Sequence, residues 1–161
     1  MSKIRPCGRG FTLIELLVVI TVMATMLSLA IPSFRSFIAS QRVKAVAYDL
    51  TTALVLARSE AVKRNADVTV AAAAASDWTQ GWSVTVGGGA TTLQQQQALT
   101  GVTITKAASA AAIPASFIYG ASGRMTSGGG TQYLQVNGAS FMKCVKIDIT
   151  GIPSTQPVAC P

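Results

Sequence analysis

The chain has 161 residues, a net charge of +7, an apolar content of 50% and no histidine. This composition fits one small folded domain with an apolar segment, and the low share of charged residues excludes an intrinsically disordered chain. Because histidine is missing and cysteines are few, we predict no metal site, no cofactor and no enzymatic activity.

The first predicted element is an apolar helix over residues 11–31, in which Glu15 is the sole charge. At about 1.5 Å of rise per residue this helix is ~31 Å long, which matches a hydrocarbon core of roughly 30 Å. The basic residues of segment 1–10 favour a cytoplasmic N-terminus. A cleaved signal peptide is the alternative, with Ser28-Leu29-Ala30 as an imitation of its cleavage site. The apolar run is, however, longer than the usual ~7–15 residues.

Glu15 is the exceptional residue of this helix. On translocon scales, inserting an acidic side chain at a helix centre costs about 2.5 to 3.5 kcal/mol of free energy. An intramembrane charge therefore indicates a functional site with a partner. The other interpretation is a hydrated carboxylate at the membrane surface. Thr12 also has two interpretations, a hydrogen bond within the first helical turn or a weakly polar residue at the interface.

The helical period continues beyond Pro32, so we predict one long helix over residues 11–64 that is kinked or locally melted at the proline. Its second half, residues 32–65, is amphipathic and is expected to pack on a soluble domain, with its basic residues on a solvated face or in intermolecular contacts. The apolar positions at steps of three and four are Phe34, Phe37, Ile38, Val43, Val46, Leu50, Leu54, Ala57, Ala61 and Val62.

Residues 66–161 contain short, β-branched, alternating segments, which predict strands separated by glycine-rich turns. The predicted strands are Val68–Val70, Trp82–Val86, Val102–Thr105, Ser116–Tyr119, Gln132–Val136 and Cys144–Ile149. We assign runs 94–97 and 107–112 to loops, and Trp78 and Trp82 to core or sheet-edge packing. The glycine-rich stretches lack the Lys-Ser/Thr ending of a phosphate-binding loop, which favours turns.

This order of elements predicts an α+β fold. In it a long N-terminal helix, first transmembrane and then amphipathic, packs on a small antiparallel β-sheet head domain.

The stretch Gly10-Phe11-Thr12-Leu13-Ile14-Glu15, placed after a basic leader, resembles the processing motif of type IV pilins and pseudopilins. The resemblance implies that a prepilin peptidase cleaves between Gly10 and Phe11 and removes leader 1–10, and that the new amino group of Phe11 is methylated. It also supplies a partner for Glu15, namely the N-terminal amine of a neighbouring subunit. Segment 11–31 would then serve as both transmembrane helix and filament-core helix.

A second resemblance covers the C-terminal part. Phe117…Gly123-Arg124, followed by residues 144–151, is similar to the GspH/FimT branch of pseudopilins and minor pilins. It implies a head of two small antiparallel sheets and a structural subunit that primes or caps a type IV pilus or a type II secretion pseudopilus. The implied partners are other pilins, bound through the N-terminal helix, and the inner-membrane assembly platform. The implied location is the bacterial inner membrane, with a single span and a periplasmic C-terminus, and then the filament.

The cysteines divide between the two sides of the membrane. Cys7 lies in the leader and is interpreted as incidental. Cys144 and Cys160 follow the span and would meet an oxidising periplasm, so we predict a disulfide that pins the proline-rich tail to the head. In the chain-entropy model a loop of about 15 residues contributes ~3 kcal/mol.

The alternative function is a DNA-binding tip pilin for natural transformation. Some members of the branch carry a Gly-Arg-x-Arg motif that binds DNA, but the matching stretch here is Gly151-Ile152-Pro153-Ser154, without either arginine. Because Arg and Lys contacts to phosphates supply most non-specific DNA affinity, this difference weakens the prediction. Arg124, Lys143 and Lys146 are then the candidate DNA-binding residues.

Overall fold

The computed structural model describes residues 11–108, 112–127, 130–139 and 141–161. The chain divides into two compact units, Met1–Ser36 and Phe37–Pro161. One helix, α1 (Leu13–Arg64), contributes residues to both units. Every strand belongs to the second unit, which we call the head.

Helix α1 has the bounds that the sequence predicts to within two residues. It ends where Asn65 adopts a left-handed conformation with φ 51°, after two basic residues that favour a helix C-terminus. The helix runs through Pro32 without interruption, so the expectation of a locally melted turn is wrong. Proline removes one backbone hydrogen bond, and the long helical runs on both sides tolerate that single loss. The expected kink stays a prediction.

Eight strands follow the helix and form two antiparallel four-stranded sheets, with strand orders β3-β2-β1-β5 and β4-β6-β7-β8. The strands are β1 (Val68–Ala74), β2 (Asp77–Val86), β3 (Thr91–Gln96), β4 (Thr103–Lys106), β5 (Ser116–Tyr119), β6 (Gln132–Asn137), β7 (Met142–Ile147) and β8 (Pro153–Gln156). The predicted α+β fold with a head of two small sheets is confirmed.

Two strands were not predicted, namely β3 and β8. The glutamine run assigned to a loop enters β3, where Gln94 lies opposite Val84 of β2. This approach is close enough that a Cβ at Gly81, where φ is 95°, would collide with the carbonyl oxygen of Gln96. Strand β7 ends at Ile147, two residues earlier than predicted, because Asp148 begins a tight turn into β8.

The head core lies between one face of α1 and the inner faces of both sheets. The buried helix residues are small or branched, which brings the helix close to the strands: Ser40, Val43, Ala47, Leu50, Ala53, Leu54, Ala57 and Ala61. Trp78 and Trp82 are fully buried, which confirms their packing role. The Trp78 ring lies 5.2 Å from that of Phe117, and its Nε1–H donates to the Pro114 carbonyl at 2.9 Å.

Four apolar positions that the helical pattern predicts on the packed face of the helix are instead exposed: Phe34, Phe37, Ile38 and Val62. The first three precede the buried stretch, which begins at Ser40. Val62 is 55% exposed, because the buried face at this end of the helix is provided by Ala57 and Ala61.

Candidate functional site

The first turn of α1 is built by Thr12. Its Oγ1 accepts a hydrogen bond from the Glu15 N–H at 3.3 Å, and its carbonyl accepts one from the Leu16 N–H at 3.2 Å. This is the N-cap geometry that the Thr-x-x-Glu spacing favours, and it confirms the hydrogen-bonded interpretation of Thr12. The cap therefore starts the helix directly after Phe11 and fixes the backbone of Glu15 one turn from the residue that cleavage would make the N-terminus.

The Glu15 side chain is exposed, and within residues 11–108, 112–127, 130–139 and 141–161 its carboxylate has no partner. The ion pairs of α1 are elsewhere, between Glu60 and the neighbouring Lys63 and Arg64. Gly10 lies outside the described residues, so the cleavage between Gly10 and Phe11 stays a prediction.

The apolar part of α1 is uncovered. By length and composition one helix is suited to cross a membrane, and none of its qualifying apolar window is buried by the rest of the chain. A core helix of a soluble protein would be mostly buried, and this window is not. An exposed apolar surface of this extent requires a covering of lipid or of other apolar helices.

A second uncovered surface lies on the part of α1 that belongs to the head, opposite the buried face. We call it the outer stripe: Ala45, Tyr48, Thr52, Val55, Ser59 and Val62. These six residues are all exposed and uncharged, and Tyr48, Val55 and Val62 are 71%, 51% and 55% exposed. They recur at alternating steps of three and four, which is the spacing of knobs-into-holes packing between helices. The outer stripe therefore has the pattern of a helix-binding surface.

The outer stripe is not evident from the sequence because both faces of the helix share one period. The apolar pattern of the buried face includes Val62 and omits Val55. The signal that separates the two surfaces is charge. Arg58 and Lys63 lie beside the stripe and no charged residue interrupts it.

Of the three candidate DNA-binding residues, Lys143 and Lys146 do not share a surface. Lys143 lines a groove of about 690 Å³ between α1 and β8, together with Lys44. Lys146 is three residues further along β7, opposite Tyr133 of β6, so it points to the other face of the sheet. Arg124 lies in the turn after β5 and is exposed. The strand geometry thus separates Lys143 from Lys146.

The two head cysteines are joined in a disulfide between β7 and the C-terminal tail, with 5.0 Å between the Cα atoms of Cys144 and Cys160. Around it pack Ala107 and Tyr133. The Cys160 N–H also donates to Gln135 Oε1 of β6 at 3.2 Å. The disulfide and this hydrogen bond therefore hold the tail after β8 to the second sheet.

We expect the double variant Cys144→Ser, Cys160→Ser to lower the free energy of unfolding by about 3 kcal/mol, because the unfolded chain regains the entropy of the open loop. Denaturant unfolding of the full chain in detergent micelles, followed by Trp fluorescence, measures the change. A dithiothreitol-treated wild-type chain should show the same loss. Equal stability with and without the disulfide would contradict the expectation.

The turn between β7 and β8 contains the stretch that corresponds to the DNA-binding motif. The Gly151 N–H donates to the Asp148 carbonyl at 2.7 Å, and the Asp148 N–H donates to the Ile152 carbonyl at 3.1 Å. The buried Tyr119 hydroxyl donates to the Gly151 carbonyl at 3.1 Å. Burial raises the pKa of Tyr119 to about 12, and the positive charge of Arg58 opposes this rise. The turn is rigidly held, and its exposed Ile152 replaces the first arginine of the motif.

The raised pKa of Tyr119 predicts a loss of stability at alkaline pH. In the unfolded chain a tyrosine ionises near pH 10, whereas the buried hydroxyl keeps its proton to about pH 12. Stability should therefore be complete below pH 10 and fall by about 2–3 kcal/mol as the pH rises to 12. Urea unfolding across this range measures the fall. The variant Tyr119→Phe should show a shallower dependence, and an identical dependence would contradict the assignment to Tyr119.

Comparison with known proteins gives two family matches. The model described as type II transport protein GspH matches residues 46–151, and the prokaryotic N-terminal methylation motif matches residues 5–31. No curated protein sequence matches the chain. The first match covers most of the chain, and the second covers the leader and the apolar half of α1.

Two solved structures are similar in fold, both of the type IV minor pilin FimU from Pseudomonas aeruginosa (strain PAO1). The structure in space group P21 is 18% identical, covers 75% of this chain and 92% of its own, and has a TM-score of 0.61. The structure in space group P65 is 20% identical, covers 71% of this chain and 92% of its own, and has a TM-score of 0.58. At these identities the likeness supports the fold.

Proposed function

Since the chain belongs to the family of the type II transport protein GspH, a family of minor pilins and pseudopilins, we propose that it primes or caps a type IV pilus or a type II secretion pseudopilus. In this role the chain is a structural subunit rather than an enzyme. It is held in the inner membrane by the apolar half of α1, with its head in the periplasm, until the assembly platform moves it into the filament.

The observation that carries this proposal is a helix with two uncovered, nearly uncharged surfaces. The apolar half of α1 is exposed in the structure, and the outer stripe continues to Val62 on the head. A monomer in water leaves both surfaces exposed to solvent, whereas a filament covers both with the helices of neighbouring subunits. Helical packing of this kind is open-ended, so each subunit needs one surface that gives the contact and another that receives it.

Glu15 supports the proposal through its placement at the first turn. Once residues 1–10 are removed, the chain has a charged amine at Phe11. A carboxylate buried among apolar helices is tolerated when an opposite charge pairs with it, and is very costly when alone. We infer that Glu15 of this subunit pairs with the N-terminal amine of a neighbour and so sets the register between them.

The outer stripe gives the test of the proposal. We expect Val55→Lys to reduce incorporation into sheared filaments by about tenfold or more, because it removes roughly 1.5–3 kcal/mol of apolar burial and adds a charge to the contact. The matched control is Val158→Lys, since Val158 is exposed to the same degree but lies on the C-terminal tail. Immunoblots of the filament and membrane fractions measure the incorporation. Equal losses for both variants, or none for Val55→Lys, would refute the role of the stripe.

The DNA-binding alternative has no feature of the described residues that favours it, because Lys143 and Lys146 face opposite sides of β7. It stays a prediction that a gel shift with the purified chain at low salt would test.

The choice between pilus and pseudopilus depends on the partner subunits with which the chain co-purifies.

A further inference from the structure

The two sheets of the head have four edge strands, and two of these edges are closed by other parts of the chain. On β5, the Ile118 N–H donates to Ser127 Oγ at 2.8 Å, and the Ile118 carbonyl accepts from the Thr126 N–H at 2.8 Å. On β4, the Ile104 N–H donates to the Thr79 hydroxyl of β2 at 3.1 Å. The backbone groups that would template another strand are thus occupied at these positions.

The third edge, β8, is blocked by proline. The Asp148 N–H donates to the Ile152 carbonyl, which makes this the first hydrogen-bonded pair of the β7–β8 hairpin. Hydrogen-bonded and non-hydrogen-bonded pairs alternate in an antiparallel ladder, so Pro153 and Thr155 direct their backbone groups away from β7. Pro157 is the next outward position. Proline has no N–H, and proline on an edge is a recognised protection against strand addition.

The fourth edge, β3, has none of these closures. It is six residues long and pairs with β2 on one side. On its other side the described part of the chain offers no partner for its backbone. It contains no proline, and no charged residue occurs between Asp77 and Lys106. Its one protective feature is the bulge at Leu93, which leaves Gln94–Gln96 as a regular stretch with a free edge.

We propose that this free edge of β3 pairs with the same edge of a second copy of the chain. An antiparallel self-pairing places residues of β3 opposite residues of the same short strand in the other copy, where like charges would be destabilising, and β3 carries none. Glutamine amides carry both donors and acceptors, so they are complementary to themselves. Two chains held in one membrane meet at a raised effective concentration, which lets a short ladder form before the subunits enter a filament.

The proposed pairing is centred on Gln95, so that Gln94 of each copy lies opposite Gln96 of the other. Directly opposed residues of an antiparallel pair have Cα atoms about 4.5–5.5 Å apart, which is within the range that a disulfide spans. The variant Gln95→Cys should therefore form a covalent dimer in the membranes of cells, seen on a non-reducing gel. The matched control is Gln80→Cys, because Gln80 is an exposed glutamine on β2, a central strand.

A second measurement removes the dependence on thiol chemistry. Sedimentation of the full chain in detergent micelles should show a dimer whose dissociation constant rises about fivefold or more with Gln95→Lys and is unchanged with Gln80→Lys. The proposal is overturned if Gln95→Cys crosslinks no better than Gln80→Cys, if it crosslinks to a different protein, or if Gln95→Lys leaves the dimer unchanged.

Discussion

Replacing Glu15 with alanine should reduce incorporation of the chain into filaments by more than about hundredfold. Breaking a buried ion pair costs about 3–5 kcal/mol, because the remaining charge, here the Phe11 amine of a neighbour, is left alone in an apolar surrounding. Insertion into the membrane should be unaffected, since the substitution makes the apolar helix more apolar. Immunoblots of sheared filaments and of the membrane fraction measure both quantities.

The control for this result is Glu60→Ala on the same helix. Glu60 pairs with Lys63 and Arg64 on α1, and because the Lys63 and Arg64 side chains are 75% and 43% exposed, solvent screens these pairs to about 0–1 kcal/mol. This variant should be incorporated normally. If Glu15→Ala is incorporated as well as Glu60→Ala, the pairing role of Glu15 is wrong.

The second large effect is expected from Gly10→Val, which should abolish removal of the leader. We expect cleavage between Gly10 and Phe11, where a branched side chain would obstruct the peptidase. The uncleaved chain keeps the basic residues of segment 1–10 and lacks a free amine at Phe11, so it should stay in the membrane. A gel of the membrane fraction should show the full-length form without the mobility shift of the processed form.

Gly8→Val is the matched control, because it makes the same substitution two residues earlier in the leader. It should be processed at the wild-type rate. Processing of Gly10→Val to the same extent would show that the chain is not cleaved at this position.

The elements that the sequence predicts correctly are those with a strong period. Helix α1 has a nearly continuous apolar run in its first half and apolar residues on a helical repeat in its second half, and its bounds follow from these two patterns. Over their predicted segments, strands β1, β2 and β6 largely alternate between buried and half-buried residues, which is the signal of a half-covered strand. In these segments the residue types themselves indicate which side chains are buried.

The missed strands lack that signal. Strand β3 consists of threonine, leucine and glutamine, and strand β8 of Pro153, Ser154, Thr155 and Gln156. Both are edge strands that bury little apolar surface, and their conformation depends on a neighbour that is distant in sequence or across a turn. The sequence alone does not show which strand lies beside them, so the polar runs resemble loops.

Some residues of the candidate site can likewise be predicted from the sequence, and others require the structure. Glu15 is predictable because one charge in an apolar run is conspicuous, and Thr12 because capping depends on spacing. The outer stripe is not predictable from period alone, since Val55 and Leu54 are neighbours and only the packed sheet decides which of them is buried. The separation of Lys143 from Lys146 likewise requires the strand register.

The proposed pairing of Glu15 with a neighbouring amine is tested most directly by the N-terminal sequence and mass of the chain isolated from its native membrane. We expect a chain that begins at Phe11, lacks residues 1–10 and carries a methyl group on its amine, so that a neighbouring Glu15 has a charge to pair with. A native chain that begins at Met1, or that begins after Ala30, would contradict it.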